Sequence, residues 1–185
     1  RLQEKYIKDV APKLVKDLKL QNIMRVPRIM KVSINSGIGA FRDNREAVDL
    51  FIQELTDITG QKPYERKARL SEAGFKIKQN DIVGYAVTLR GARMWAFLDK
   101  LISVALPRVR DFRGLSNTAF DNSGNYSLGI REHVIFPEIN ANVTKGTRGL
   151  QVTVVTNSHD VDSNKALLKG LGFPIVIAKA TKEKI

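Results

Sequence analysis

The order of strand-like and helical segments constrains the fold of this chain more than any other feature of its sequence. Between residues 29 and 130, segments of alternating apolar and polar side chains and segments with helical spacing follow one another as strand, helix, strand, strand, helix, strand. That order is typical of the ferredoxin-like split β-α-β core, in which helices cover one face of an antiparallel sheet. The sequence therefore predicts an α+β fold with about five strands and one open sheet face.

Two strands define this open face. In residues 29–38 the apolar Met30, Val32 and Ile34 alternate with polar residues, and residues 83–90 show the same alternation. The second sides of these strands carry small, polar or basic residues: Lys31, Ser33, Asn35, Gly84, Ala86, Thr88 and Arg90. An open sheet face of this composition is suited to contact with RNA.

The helices have start and stop signals. Asp43 and Glu46 match a capping box, and Gly60 is placed to end the helix that follows. An apolar stripe over residues 2–18 predicts an N-terminal helix that Pro12 kinks or divides. The remaining segments predict strands at 64–68, 126–130 and 150–156 and helices at 94–105 and 163–171.

Charge indicates the kind of partner. Lys and Arg number 31 against 19 Asp and Glu, which gives a net charge of +12 and an isoelectric point near 10.0. Such a cationic field attracts polyanions, and we favour nucleic acid over a role in solubility or binding to anionic lipid. No apolar run is long enough to span a bilayer, so no membrane partner is predicted.

Metal, cofactor and enzyme signatures are scarce. The chain has no cysteine, and its two histidines have no partner at metal-ligand spacing. The glycine-containing loop after the first strand has Arg42 where a dinucleotide-binding loop needs its third glycine. We therefore predict no cofactor and no catalytic activity. Two alternatives remain open: a phosphate-handling enzyme that uses Arg90 and Asn35, and a basic adaptor for proteins or membrane surfaces.

Two basic clusters are candidate RNA contacts. The first surrounds Phe75 in residues 62–78 and contains Lys62, Arg66, Lys67, Arg69, Lys76 and Lys78. These cations suit phosphates, and an exposed Phe75 suits base stacking, whereas the alternative is a solvated loop with Phe75 in the core. The second cluster consists of Arg108, Arg110 and Arg113, for which phosphate contact and internal pairing with Asp111 are both open.

Several ordered motifs carry a resemblance to a known family. They are Gly60-Gln-Lys-Pro63, Ala73-Gly-Phe-Lys76, Val87-Thr-Leu-Arg-Gly91, Arg93-Met-Trp95, Pro107-Arg-Val-Arg-Asp-Phe-Arg-Gly-Leu-Ser116, Gly124-Asn-Tyr-Ser127 and Ile135-Phe-Pro-Glu138. From about residue 2 to residue 174 the chain resembles the bacterial-type ribosomal protein L5 family of the large subunit. The turn at residues 79–81 departs from the family pattern because it lacks the usual glycine.

The resemblance implies a function and a set of site residues. It implies a protein that binds 5S rRNA, anchors it in the central protuberance, contacts the peptidyl-site tRNA and bridges to a small-subunit protein. Asn35, Gln61, Thr88 and Arg90 match the family's 5S rRNA contacts, and the loop with Arg69, Phe75, Lys76 and Lys78 matches its tRNA-facing loop. Large-subunit rRNA and neighbouring ribosomal proteins are further expected partners.

The expected organisation is one ribosomal-protein domain over residues 1–185. It comprises an N-terminal helix at 1–20, a long basic loop at 69–81 and a basic C-terminal tail at 175–185 with Lys179, Lys182 and Lys184. The expected location is a cytoplasmic ribosome, and an organellar ribosome remains open.

Overall fold

A five-stranded antiparallel sheet forms the centre of the computed structural model, which describes residues 1–141, 143–144 and 146–176. The strands in chain order are β1 (Ile29–Gly37), β2 (Tyr64–Lys67), β3 (Ile82–Leu89), β4 (Leu115–Ser116), β5 (Tyr126–Ile130), β6 (Leu150–Thr156) and β7 (Ile175–Val176). Strands β4 and β7 form a small parallel pair, and the other five form the sheet in the order β2-β3-β1-β6-β5. The tail lysines 179, 182 and 184 lie outside the described residues.

The strand order confirms the predicted fold class. Strands β1 and β3 pair antiparallel, β2 pairs with the outer side of β3, and β6 pairs with the other side of β1. This is the arrangement of a split β-α-β core in which β6 is the fourth strand. The sequence order placed the fourth strand of the core at residues 126–130, and that assignment is wrong because β1 pairs with β6 instead. Strand β5 pairs with β6 and extends the sheet to five strands.

The helices are short and several are irregular. In chain order they are α1 (Leu2–Lys5), α2 (Ala11–Asp17), α3 (Arg45–Thr59), α4 (Gly91–Lys100) and α5 (Val161–Leu171). A π-helical stretch, Tyr6–Val10, joins α1 to α2 immediately before Pro12. Pro12 has no N–H to donate to the preceding turn, and the hydrogen bonding changes there while the backbone stays helical through both junctions. The alternative that Pro12 divides the helix into two pieces is therefore wrong.

Helix α3 begins one residue later than its sequence signal predicted. The side chain of Asn44 caps it by accepting a hydrogen bond from the Ala47 N–H at 3.1 Å. The predicted capping box at Asp43 is therefore wrong, because it is the extended backbone of Asn44 that directs a side chain towards the free N–H groups of the first turn. Gly60 ends the helix in the left-handed conformation, with a φ of 68°, as predicted.

One face of the sheet forms the core with the helices. The side chains at its centre are fully buried: Val32, Ile34, Val87, Leu89, Val152 and Val154 from the strands and Phe51, Leu55 and Leu98 from α3 and α4. The prediction that Met30 shares this face is wrong. An irregularity in the pairing of β1 with β6 falls between Ile29 and Lys31, so Ile29 is buried while Met30 is 46% exposed.

Candidate RNA-binding surface

The second face of the sheet is a continuous surface of small, polar and basic residues. We define this open face by the outward residues of the five strands and the one residue beyond β3: Lys31, Ser33, Asn35, Gly37, Tyr64, Arg66, Gly84, Ala86, Thr88, Arg90, Ser127, Gly129, Gln151, Thr153 and Val155. None of these residues is acidic. The open face can therefore approach a polyanion without repulsion from a carboxylate of its own.

Strand pairing determines which of these residues are neighbours. Ser33 lies opposite Thr88 on one side and Thr153 on the other. Asn35 lies opposite Ala86 and Gln151. Residues directly opposite each other on antiparallel strands share a face, so the register determines which side chains are neighbours on the open face.

The structure places three of the four residues that resemble 5S rRNA contacts on the open face and the fourth, Gln61, beside Thr88. Asn35 and Thr88 are diagonal neighbours across β1 and β3, and Arg90 follows Thr88 by two residues on the same side. Asn35 and Arg90 are exposed, and Gln61 and Thr88 are half-buried. Gln61 joins them because its side-chain Nε2 donates to the main-chain carbonyl of Thr88 at 3.4 Å.

Local contacts hold Gln61 in this position. It directly follows Gly60, whose left-handed conformation turns the chain out of α3. The Thr59 hydroxyl accepts from the Gln61 N–H at 3.3 Å and lies 2.9 Å from the Gln61 carbonyl, to which it can donate. The end of α3 thus places an amide side chain beside Thr88 of β3.

The loop at residues 69–81 is a distorted hairpin that is anchored at its base. The Ala68 N–H donates to the Asp81 carbonyl at 2.8 Å, and Glu72 pairs with Ile77 nearer the tip. Arg42 braces the loop from one side, since its guanidinium donates to the Lys76 carbonyl at 3.1 Å and lies 3.8 Å from the Asp81 carboxylate.

This loop presents apolar and basic side chains to the outside. Phe75 is 76% exposed and Leu70 is 80% exposed, so the alternative that Phe75 lies in the core is wrong. Arg69, Lys76 and Lys78 are also exposed. Asn80 adopts a φ of 72°, a conformation that Asn tolerates better than most residues, in the turn that lacks the family's glycine.

The remaining basic candidates lie at the two opposite edges of the sheet. Arg66 and Lys67 are exposed on the edge strand β2. The Arg66 guanidinium lies 5.7 Å from the centre of the Tyr64 ring, and Lys67 pairs with Glu65 at 3.9 Å on the surface. Arg66 belongs to the open face because it lies opposite Gly84.

The three arginines of residues 108–113 are exposed, and two of them lie near β5 at the other edge. Arg110 and Arg113 line a cavity of about 520 Å³ together with Arg131, which sequence reasoning missed. Asp111 makes no ion pair with Arg108, Arg110 or Arg113 in the part of the chain that the structure describes. The geometry therefore does not support internal pairing, and all three cations are accessible to a partner.

A buried polar network lies on the covered side of the sheet and was not predicted. His133 is fully buried, and its Nε2 lies 3.1 Å from the Glu54 carboxylate while its Nδ1 accepts from the Arg148 N–H at 3.1 Å. The Arg148 guanidinium lies 3.9 Å from Glu54 and 4.0 Å from the centre of the Phe41 ring. Burial lowers the pKa of His133, and the nearby Glu54 carboxylate only partly opposes that shift.

The buried network joins helix α3 to the segment before β6. Thr144 adds a hydrogen bond to Glu54. His133 is a packing residue with polar partners. His159 is exposed. Within the described ranges no group of three metal-binding side chains occurs, and no helix there is long and apolar enough to cross a membrane.

Sequence reasoning also missed half of the open face. Gln151 and Thr153 of β6 and Ser127 of β5 lie on it. The alternation of residues 150–156 contained a usable signal, because Leu150, Val152 and Val154 are the buried set. What the alternation could not show is that β6 pairs with β1.

Comparison with known proteins gives a consistent result. A family model described as "Ribosomal protein L5" matches residues 22–78, and a model of the C-terminus of the same ribosomal protein family matches residues 82–175. The chain is 46% identical over 173 residues to the "Large ribosomal subunit protein uL5" of Synechococcus sp. (strain RCC307), covering 94% of this chain and 97% of the relative. The proteins of the same name from Anaeromyxobacter sp. (strain Fw109-5) and Prochlorococcus marinus (strain MIT 9211) are 47% and 46% identical, each with the same coverage.

Proposed function

Since this chain belongs to the ribosomal protein L5 family, whose members are structural and non-enzymatic components of the large ribosomal subunit, we propose that its open face binds 5S rRNA and anchors it in the central protuberance. Membership in the family establishes that the chain associates with rRNA and takes part in translation on the ribosome. The identity of the RNA and the residues that contact it are our proposal. We treat residues 1–185 as one ribosomal-protein domain in this proposal.

The grouping of Asn35, Thr88 and Arg90 on an acid-free sheet face, with Gln61 bonded to the Thr88 main chain, carries the proposal. Amide and hydroxyl groups both donate and accept hydrogen bonds, so Asn35, Gln61 and Thr88 can bond to sugar, phosphate or base edges. Arg90 adds a charge-assisted bond to a phosphate. Polar contacts at fixed positions set the register of the RNA, and cations supply affinity that depends on salt.

Basic residues outside this group extend the contact in our proposal. Arg66 and Lys67 lie at the β2 edge and Arg110 and Arg113 near the β5 edge, so cations lie at both edges of the sheet, and Arg108 is exposed two residues before Arg110. We assign them to phosphates of 5S rRNA or of large-subunit rRNA. The neighbouring ribosomal proteins are further partners.

The loop at residues 69–81 has a separate role in the proposal. We assign Arg69, Phe75, Lys76 and Lys78 to contact with the peptidyl-site tRNA. The support is the exposure of all four side chains, together with anchoring of the loop by Arg42. A bridge to a small-subunit protein across the subunit interface completes the proposed function.

A binding titration tests the central claim. Purified protein is titrated with 5S rRNA, with tRNA and with an unrelated RNA hairpin, each at a low and a raised salt concentration. We expect tight binding that survives raised salt only for 5S rRNA, because bonds from neutral side chains release no counterions. Equal and steeply salt-dependent binding to all three RNAs would reduce the protein to a general polycation and refute the proposal.

A further inference from the structure

We propose that a line of four hydroxyl side chains across the open face binds the 2′-hydroxyl groups of a double-helical RNA segment, through the shallow minor groove. We call this line the hydroxyl row: Thr88, Ser33, Thr153 and Ser127, one each from β3, β1, β6 and β5. The inference rests on the proposed function and deepens it, because it names the chemical group that the sheet recognises and adds three residues to the site.

The row follows from the register of the sheet. Thr88 lies opposite Ser33, Ser33 lies opposite Thr153, and Thr153 lies opposite Ser127. Neighbouring strands are about 4.8 Å apart, so the four hydroxyls form a line of roughly 14 Å across the sheet. Each of the four is half-buried, so it is held in place by the surrounding strands and still reaches the surface.

These hydroxyls retain bonding capacity for a ligand. A hydroxyl has one donor and two acceptor sites. Ser127 and Thr153 share one hydrogen bond of 3.0 Å, which leaves acceptor sites on both. The Ser33 and Thr88 hydroxyls have no bonded partner among the residues that the structure describes. A 2′-hydroxyl also both donates and accepts, so it can match either state of each side chain.

The surroundings of the row have the shape that a shallow groove requires. One step along the strands, the amides of Asn35 and Gln151 lie opposite each other between Ala86 and Gly129. A side chain added at Gly129 would meet no atom within 4 Å, so the surface there is low and open. RNA can therefore approach β5 and β6 closely at this level of the sheet, whereas Ala86 on β3 is buried between its neighbours.

Cations lie at both ends of this surface. Lys31 and Arg90 are beyond the hydroxyl row at one end, and Arg66 lies opposite Gly84, level with Gly37, at the other. Positions 31 and 37 of β1 are separated by about 20 Å at a rise of ~3.3 Å per residue. A minor groove of A-form RNA is wide and shallow, displays its 2′-hydroxyls and has a phosphate backbone on each side. The order cation, hydroxyl, amide, cation matches that pattern.

The same surface is poorly suited to unpaired bases. Proteins that bind splayed bases on a sheet stack them on aromatic side chains at the centre of the sheet. The central strands β1, β3 and β6 present no aromatic residue on the open face, and its one aromatic residue, Tyr64, is on the edge strand β2. The composition of the face thus favours a helix read by its sugars over a single strand read by its bases.

Chimeric RNA and protein variants together test the inference. Full-length 5S rRNA is prepared with 2′-deoxyribose in one helical segment at a time, and each form is titrated with wild-type protein and with the double variant Ser33→Ala plus Thr153→Val. Thr88 is left intact so that the test is separate from that of the proposed contact residues. The matched control is Ser103→Ala plus Thr56→Val, which removes the same groups from helical segments away from the open face.

We expect the protein variant and one of the deoxyribose substitutions to lower the binding affinity by removing the same contacts. With all-ribose 5S rRNA the double variant should bind roughly tenfold weaker, as for the loss of one or two neutral hydrogen bonds, and the control should bind as wild type does. One deoxy-substituted helix should weaken wild-type binding similarly but cause no further loss in the double variant.

Three outcomes contradict the inference in different ways. Unchanged affinity of the double variant would remove the hydroxyl row from the site while leaving 5S rRNA binding in place. If the affinity lost through the double variant adds fully to the affinity lost through every deoxyribose substitution, the hydroxyl row contacts something other than 2′-hydroxyls. A wild-type protein that does not prefer 5S rRNA to an unrelated hairpin would overturn the proposed function and this inference with it.

Discussion

The open face and the buried network are two polar systems on opposite sides of one sheet. In the buried network, Glu54, His133 and Arg148 direct their bonds towards one another and towards the main chain. On the open face, most polar groups lie side by side with bonding capacity left for a partner, and charge is confined to the margins. Polar residues whose hydrogen bonds are made within the protein contribute to stability, and those with bonding capacity left at the surface are available for recognition.

The largest expected effect concerns the contribution of the buried network to the stability of the protein. Glu54→Gln keeps the shape of the side chain but removes the carboxylate charge that lies 3.9 Å from the buried Arg148 guanidinium. Removal of one partner from a buried pair costs about 3–5 kcal/mol, so the free energy of unfolding in a urea titration should fall by that order. The control is Glu138→Gln, whose pair with Lys100 is partly exposed and is worth about 0–1 kcal/mol.

The same variant should leave recognition unchanged. Glu54 lies beneath the sheet, so the fraction of Glu54→Gln protein that remains folded should bind RNA with wild-type affinity. A large drop in affinity at unchanged stability would break the division between the two systems.

The next effect is a dependence of stability on pH. Burial lowers the pKa of His133 below its ordinary value of 6.5, so the folded protein keeps a neutral imidazole where the unfolded chain takes up a proton. This contribution is fully present above pH 6.5 and is lost as the pH falls below it, by at most about 1.4 kcal/mol per pH unit. Urea titrations between pH 8 and pH 5 should show the loss in wild-type protein and a flatter profile in His133→Gln.

The pH range of the His133 effect differs from the range over which the surface carboxylates affect stability. A hydrogen bond from the Asn125 side chain lowers the pKa of Asp121 below 3.8, and one from Ser163 does the same for Asp160. Their contributions are lost only as the pH falls through 3.8 and below. Equal slopes above pH 5 in wild type and His133→Gln would contradict the assignment to His133.

A smaller effect distinguishes the loop at residues 69–81 from the open face. Lys76→Glu plus Lys78→Glu should weaken binding to tRNA and leave 5S rRNA affinity unchanged, because both side chains are exposed on the loop between β2 and β3 and neither belongs to the open face. For tRNA binding, the slope of log affinity against log salt should fall by roughly 0.7 to 0.9 for each phosphate that is no longer neutralised.

A control of equal charge makes the loop result specific. Lys13→Glu plus Lys16→Glu changes the net charge by the same amount on helix α2, where both lysines are exposed. Ribosomes that carry each variant are compared in tRNA-dependent translation. If both double variants reduce 5S rRNA binding equally, general electrostatics rather than a defined loop explains the effect.

The smallest expected effect is Thr88→Val. Valine keeps the shape and the strand preference of threonine, so folding should be unchanged, whereas loss of one hydrogen bond should weaken 5S rRNA binding by about 0.5–1.5 kcal/mol. Thr56→Val on the helical side of the sheet is the control. Unchanged affinity of Thr88→Val would remove this residue from the proposed site.

Sequence reasoning located the parts of the fold that local pattern determines. Alternation alone put Asn35, Thr88 and Arg90 on the polar sides of their strands, and Gly60 marked the end of α3 correctly. Met30 was misplaced because a pairing irregularity depends on the partner strand and leaves no mark in the alternation. The helix start was misplaced by one residue because Asp43 and Asn44 are both good caps and only the backbone decides between them.

Contacts between distant residues could not be predicted in this way. Glu54 and His133 are 79 residues apart, and nothing in the spacing of either indicates the other. Arg131 joins Arg110 and Arg113 only through the folded position of β5. Ser127, Gln151 and Thr153 had the correct alternation, but their place beside Ser33 and Asn35 follows from strand order, which a single sequence does not fix.

The central position of β1 has a consequence for protein synthesis. Strand β1 is made early, yet one of its two neighbours is β6, and the Ser36 hydroxyl bonds to a carbonyl 113 residues further along the chain. The surface that we assign to RNA is therefore incomplete on a growing polypeptide until nearly the whole described sequence has left the exit tunnel. An N-terminal fragment released early would carry Asn35 and Thr88 but not Gln151 and Thr153, so incomplete chains would compete poorly with finished protein for RNA during assembly.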